Sequence, residues 1–502
     1  MKNSSDLPEY LAESSAYFHE SGEAKKDFTI AVVGGGITGL VAAHALLALS
    51  DRCRVTVFER AIPGGRLATR TLCDIPIDVG PDNFLIRRQE AVQLCTALGL
   101  KDELVEPKNG DVKILSDGKL FSMPKKSHMG VPVDFKEIAA LGLVSKGGLK
   151  ALKKDRNYPK HQGGDRTIYE LVAPRLGEEV LDLLVEPMAA GIHAGLASTL
   201  GVSATVPEFL AAAIQHGSLT RGLKPLVEAK LLRENPPIGR SPEPVFYGLK
   251  NGMGSIIDRL VDSMSLSSRI EIRVGTEVEA IEIARKSGPL IDKFALVAGQ
   301  NKYLVDGVIV STPGPTTGEL IKDIEPEIGK QISSIPHASV ALATLAYNKL
   351  DLFPSHGQRG LLVPRSQGIP ITAVTWMSQK WPHLNKSDLN FVRISIGKMN
   401  DNSHKSMTEG QLVALASEFL ASTFGIKAQI IESRVDRYNE AFPNYAPDHL
   451  VNMARLRESV ASRGPIILSG PLFGGIGIGS RIADGAMAAS RLLKILGEIG
   501  SG

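Results

Sequence analysis

Apolar and polar positions along the chain alternate between two periods. Phe28–Val33 is an apolar, largely β-branched run that ends at a glycine cluster, the pattern of a short strand covered on both faces. An apolar helical stretch follows directly, and a second strand is predicted over 53–58, closing on Glu59. A third strand is expected over 75–84, ending in the tight Gly80-Pro81 turn, and a helix over 89–100. Alternation around Asp117-Gly118 predicts a hairpin over 113–123.

From 134 to 232 the period becomes helical. Leu171, Val172, Leu176, Val180, Leu183 and Leu184 recur on one face, which makes 168–184 amphipathic and helical. Residues 157–165 and 234–244, rich in polar residues, Gly or Pro, read as exposed linkers, and Gly248 to Gly254 open another helix. Strand patterns recur at 270–284, 294–299 and 303–310, then at 339–347, 372–377 and 391–397, before a helix at 408–424. The chain closes as it opens: a buried strand over 465–470, a glycine cluster from Phe473 to Gly479, and a helix over 481–496. Two such devices predict one α/β nucleotide domain assembled from both chain ends, with a helical and a β-rich insertion between them.

At 502 residues the chain is long enough for two or three domains. A net charge of +3 with no Lys/Arg tract leaves no nucleic-acid footprint. Cys53, Cys73 and Cys95 are dispersed, which argues against a disulfide framework or a zinc site and for a reducing compartment. No apolar run approaches the roughly 18–20 residues of a membrane span. Residues 1–27 resemble neither a signal nor a transit peptide and read as a tail, or as a short helix over 7–18 docked on the surface. A cytoplasmic location follows, with peripheral attachment to the inner face of the cell membrane kept open.

Gly34, Gly36 and Gly39 fit G-x-G-x-x-G between strand and helix: a tight turn, close approach of a pyrophosphate, and close helix–strand packing. The helix N-terminus offers amides and its positive dipole end to the phosphates. Glu59, twenty residues after Gly39, is placed to accept a ribose hydroxyl, and it would repel a 2′-phosphate despite Arg60 beside it. A dinucleotide site is expected. No convincing catalytic constellation and no metal-ligand set accompanies it.

The segments VVGGGITGLVAAH, FERAIPGGRLATR and IDVGPDNFL, in that order, resemble the amine-oxidase-like FAD enzymes. MPKKSHMGVPVDF (123–135), YELVAPRLGEEVLDLLVEPMAAGIHAG (169–195), FYGLKNGMGSIIDRL (246–260) and RYNEAFPNYAPDHL (437–450) sharpen this to the oxygen-dependent protoporphyrinogen and coproporphyrinogen III oxidases. The resemblance covers about 28–497. It implies a Rossmann-like FAD-binding domain in three parts (28–95, 233–320 and 441–502), a helical insertion at 96–232 that touches the membrane in relatives, and a β-rich substrate domain at 321–440. The apolar stretch 138–149, rimmed by lysines, is the candidate for such membrane contact.

Carried over by position, the resemblance places Gly34, Gly36, Gly39 and Glu59 on the pyrophosphate and adenosine ribose, and Gly65 and Arg66 along the pyrophosphate and ribityl chain. Gly80 and Pro81 approach the flavin ring, Val278 meets the adenine from a strand, and Ser311 and Thr312 lie beside the dinucleotide. Gly475, Gly477 and Ile478 present amides to the flavin pyrimidine edge. Gly479 and Ser480 depart from the proline and acid common in relatives at those positions. For the substrate, His193 is a cavity-lining candidate, and Lys113, then Lys119, a candidate for steering a propionate.

The implied reaction is six-electron oxidation of a porphyrinogen to a porphyrin in haem biosynthesis, in three two-electron cycles with oxygen reoxidising the flavin. The implied partners are the porphyrinogen and molecular oxygen, with a homodimer left open. A flavin amine oxidase and a non-enzymatic escort protein on the same scaffold stay open as alternatives; low aromatic content, 5%, argues against the amine cage of the first. Intact glycine clusters argue against the second.

Overall fold

The structure, a computed structural model, describes residues 8–11, 27–234, 244–288, 290–349, 357–386 and 388–500. Its organising element is a five-stranded parallel sheet in the order Ile270–Val274, Cys53–Glu59, Phe28–Val33, Gly307–Val310, Ile466–Leu468. The first strand is central because both its faces are apolar. Ile30 and Val32 enter a core with the helices Ile37–Leu49 and Ile478–Gly500, while Ala31 and Val33 enter a second core with Phe294, Leu296 and Ile321. The two chain ends therefore meet in one domain, as the paired glycine devices predict.

A three-stranded antiparallel meander (Ala280–Ser287, Leu290–Ala298, Asn301–Val305) covers the second face. The runs expected at 270–284 and 303–310 each divide between this meander and the parallel sheet. Gly275 turns the chain between Val274 and Ala280, and Asp306 separates Val305 from Gly307.

The β-rich region is a seven-stranded sheet that includes His337–Asn348, Ile371–Trp376 and Leu389–Ile396. The hairpin Asp111–Ser116/Lys119–Ser122 belongs to it, through parallel pairing with Gln358–Leu362. This corrects the grouping of the hairpin with the helical insertion at 96–232. Similarly, Glu432–Pro443 pairs with His337–Asn348 across the boundary drawn at 440.

The helical insertion differs from expectation in two places. The helix predicted over 168–184 breaks at Gly177, whose φ of +90° ends Ile168–Leu176 before a second helical segment starts at Glu178. The stretch 138–149 spans two short helices, Phe135–Leu141 and Lys146–Leu152, separated by a left-handed Gly142. Ile138, Leu143 and Val144 are buried in the insertion's own core, so this stretch does not present a continuous apolar face for a membrane.

Of the tail, only residues 8–11 and 27 are described. Glu9–Leu11 is a single helical turn with Tyr10 and Leu11 buried against the parallel-sheet domain. The rest of the helix expected at 7–18 lies outside the described residues, as do 235–243 of the second linker. Among the described residues no helix is long and apolar enough to cross a membrane, and no group of three or more His, Cys, Asp or Glu could hold a metal.

Candidate functional site

Three turns converge at the carboxyl ends of the parallel strands. The Gly34 N–H donates to Phe58 O (2.9 Å) and the Ser311 N–H to Val33 O (2.8 Å), so the glycine turn is wedged between its neighbours. A Cβ at Gly39 would lie 1.9 Å from the Gly34 carbonyl oxygen, which makes glycine obligatory for docking the helix. Gly36, by contrast, would carry its Cβ into open space. It caps a helix with no side-chain cap and no acid in its first turn, which leaves the amide end free for an anion.

The Gly64 N–H donates to Gly35 O at 2.8 Å, bringing Gly65 beside Gly36. Glu59 Oε2 accepts from the Gly35 N–H and Oε1 from the Ala61 N–H, each at 2.8 Å. The Ser311 hydroxyl is buried without a partner among the described residues, whereas the Thr312 hydroxyl pairs with that of Thr317 at 2.9 Å. Val278 is buried in the connection before Ala280 rather than in a strand, a correction to its expected setting.

The second turn lies at the far chain end. Gly475 and Gly477 would meet only the Ser480 side chain, at 3.8–3.9 Å, and Ile478 opens the 23-residue closing helix. That helix begins three residues before its predicted start. The dipole end of a long helix thus adjoins a glycine turn with open space at its backbone.

Gly80 and Pro81 belong to a third turn held from the seven-stranded sheet. The Tyr438 hydroxyl donates to Val79 O at 2.7 Å, and Arg393 Nη1 to Gly80 O at 3.2 Å. Asp82 receives Lys380 Nζ at 2.8 Å and Trp381 Nε1 at 2.9 Å. Burial acts to raise the Asp82 pKa, but Lys380 and Arg393 outweigh it and hold the carboxyl below the usual range. Arg66 is anchored by the Ala441 and Glu440 carbonyls; burial lowers it to about 10, still a cation at neutral pH.

His193 is buried, and desolvation lowers its pKa to about 4, so its imidazole is neutral at pH 7. Its ring meets Tyr445 edge-on at 5.9 Å, and Tyr445 stacks on His449 at 4.4 Å. This chain of rings ties the helical insertion to the loop before the closing helix, because His449 Nε2 bonds Leu472 O at 2.8 Å.

Lys113 is not brought to His193. Its Nζ donates to Ser122 Oγ at 2.8 Å, on the sheet face where Leu115 joins the core under helix Glu409–Phe424. Helix Glu186–His193 lies on the opposite face, where Gly191 approaches Leu362 and Ile114 enters the helical core. Lys119 is exposed at the far end of the same hairpin.

Sequence spacing does not reveal several residues at these turns. Arg393, Asp82 and Lys380 come together only through sheet pairing, and nothing in their sequence spacing signals it. Arg481 and Asp484 follow the last glycine cluster directly, which was the available signal.

A model of the flavin containing amine oxidoreductases matches residues 37–470, and the chain belongs to that family. Within it, the chain is similar to coproporphyrinogen III oxidases. That of Mycobacterium leprae is 31% identical over 474 residues (93% of this chain, 97% of that protein), and that of Staphylococcus aureus 27% over 476 residues (93% and 99%). Among solved structures, a "Putative protoporphyrinogen oxidase" from Exiguobacterium sp. 255-15 superposes with a TM-score of 0.81 at 26% identity, covering 93% of this chain and 98% of that one. The residues present fit a flavin cofactor: open backbone at Gly36, Gly475 and Gly477, and an orphaned hydroxyl at Ser311.

Proposed function

We propose that this protein is an FAD-dependent oxidase that converts a porphyrinogen, coproporphyrinogen III in the first instance, to the corresponding porphyrin with molecular oxygen as acceptor. The observation that carries the reading is the extent of similarity to coproporphyrinogen III oxidases, 93% of the chain at 27–31% identity. It includes the helical and β segments beyond the glycine turns that many flavoenzymes share. FAD in particular is favoured over a mononucleotide because turns from both chain ends adjoin the same strand ends, with Glu59 placed for an adenosine ribose.

A bound flavin would supply the two-electron acceptor. The chain's own residues do the rest. The pyrophosphate lies on the open backbone at Gly36 and the helix N-terminus, in a turn shaped by Gly34 and Gly39, with Gly65, Arg66, Val278, Ser311 and Thr312 alongside. Gly80, Pro81, Gly475, Gly477 and Ile478 frame the ring end, and the helix dipole at Ile478 favours negative charge there. Neutral His193 serves as an uncharged wall that cannot attract a propionate by charge, and Lys113 points away from that side. Orientation, rather than a protein acid or nucleophile, supplies the catalysis.

The cofactor half of the reading is tested by the absorption spectrum of the purified protein and chromatography of the released flavin. FAD at one per chain supports it. Protein that is colourless and cannot be reconstituted with FAD contradicts it.

A further inference from the structure

Arg481 is 5% exposed, and none of its three guanidinium nitrogens has a hydrogen-bond partner among the described residues. It lies in the first turn of the closing helix, where its backbone N–H donates to Gly477 O at 2.9 Å. A Cβ on Gly474 would sit 2.6 Å from Arg481 Nη2, so the side chain runs back beneath the last glycine turn.

The nearest acid, Asp484, acts on it only through space and takes its hydrogen bonds from other groups. Asp484 makes no ion pair with Arg481, because its Oδ1 takes Arg457 Nη2 at 2.6 Å while Oδ2 takes Ser469 Oγ at 2.7 Å and the Gly470 N–H at 2.8 Å. Arg457, Arg66 and Tyr445 are the other charged or titratable neighbours, and Arg457 and Arg66 are further cations close enough to feel Arg481. A desolvated guanidinium without acceptors is among the most costly arrangements a fold can keep. It is tolerable where an acceptor arrives with a ligand.

We propose that Arg481 is a cofactor-holding residue whose guanidinium donates to an oxygen acceptor on the flavin-ring half of the bound dinucleotide, from beneath the 474–477 turn. This rests on the reading that FAD lies between the two glycine turns. A fixed cation there stabilises the electron-rich reduced ring more than the oxidised one. Affinity and midpoint potential therefore move together when it is removed.

The test uses full-length Arg481→Met, Arg481→Gln and Arg481→Lys. FAD affinity is read by titrating apoprotein and following flavin fluorescence, midpoint potential by dye equilibration, and apoprotein stability by thermal melting. Loss of the cation is expected to weaken FAD binding about tenfold to hundredfold. It should also shift the potential to more negative values and leave the apoprotein melting temperature unchanged or higher, with partial recovery in Arg481→Lys. A lower apoprotein melting temperature, with affinity within about twofold of the parent and an unchanged potential, would make Arg481 a structural cation and overturn the proposal. If Arg481→Met fails to fold, Arg481→Gln decides by the same readouts. A parent protein that binds no FAD refutes the cofactor reading itself, a result distinct from equal binding by parent and variant.

Discussion

The Glu59 carboxylate accepts the backbone N–H of Gly35 at 2.8 Å, so the acid at the end of the second strand also fixes the turn that follows the first. Its side chain therefore shapes the glycine turn, and under the proposed FAD reading it also receives the ribose. Glu59→Gln keeps the size but removes the charge that strengthens both contacts. We expect FAD affinity to fall about tenfold, with apoprotein stability little changed. Titration of apoprotein with FAD, alongside chemical denaturation, separates the two effects.

Gly36 and Gly39 belong to one motif but answer to different constraints. Gly36→Ala places its methyl in open space, so folding stability should hold while FAD binding weakens. Gly39→Ala drives a methyl to 1.9 Å from the Gly34 carbonyl oxygen. That overpacking should cost about 1–3 kcal/mol or more of stability. Denaturation midpoints of the two apoproteins check the contrast.

Asp78 and His193 oppose each other in pH dependence. Burial, partly offset by the Thr69 hydroxyl and the Met253 N–H, pushes Asp78 up to about 6. Its stabilising contribution is full below the unfolded pKa near 4 and is lost as pH rises through 6. His193, lowered to about 4, contributes above its unfolded pKa near 6.5 and loses that contribution as pH falls towards 4. Relative to the parent, Asp78→Asn should gain stability between pH 4 and 7, and His193→Gln should gain it between pH 6.5 and 4. Each change is on the order of 3 kcal/mol. Urea unfolding across pH 4–7.5 reads both slopes.

Asp82 and Lys380 lock the Gly80-Pro81 turn to the β-rich region, with side chains only 11% and 19% exposed. Lys380→Met strands a buried carboxylate and should cost about 3–5 kcal/mol. Adding Asp82→Asn should restore part of it. A double-mutant cycle in denaturant measures the coupling.

The two glycine devices were legible because each is a local pattern: strand, turn and helix within a short window, with Glu59 at a fixed offset. The β-rich middle was legible as strands but not as a sheet. Pairing of Gln358–Leu362 with the hairpin at Asp111–Ser116 depends on contacts far apart in sequence, and no local periodicity encodes them. The helix over 168–184 was overextended because its apolar face continues past Gly177, while the backbone turns there at φ +90°. Lys113 illustrates the same gap. Its position on a hairpin was correct, but the face it occupies follows from Leu115 and Ile114 joining different cores. The unpartnered nitrogens of Arg481 emerge only once the closing helix is packed against the 470–474 loop.

An aerobic assay of the FAD-loaded protein decides whether it oxidises porphyrinogens. It compares coproporphyrinogen III, protoporphyrinogen IX and a panel of primary and secondary amines, following porphyrin fluorescence and oxygen uptake. Fluorescence should rise fastest with coproporphyrinogen III, with three oxygens consumed per porphyrin as each two-electron cycle reduces one to peroxide. Oxygen uptake with an amine and no porphyrin above the autoxidation control would contradict the porphyrinogen reading.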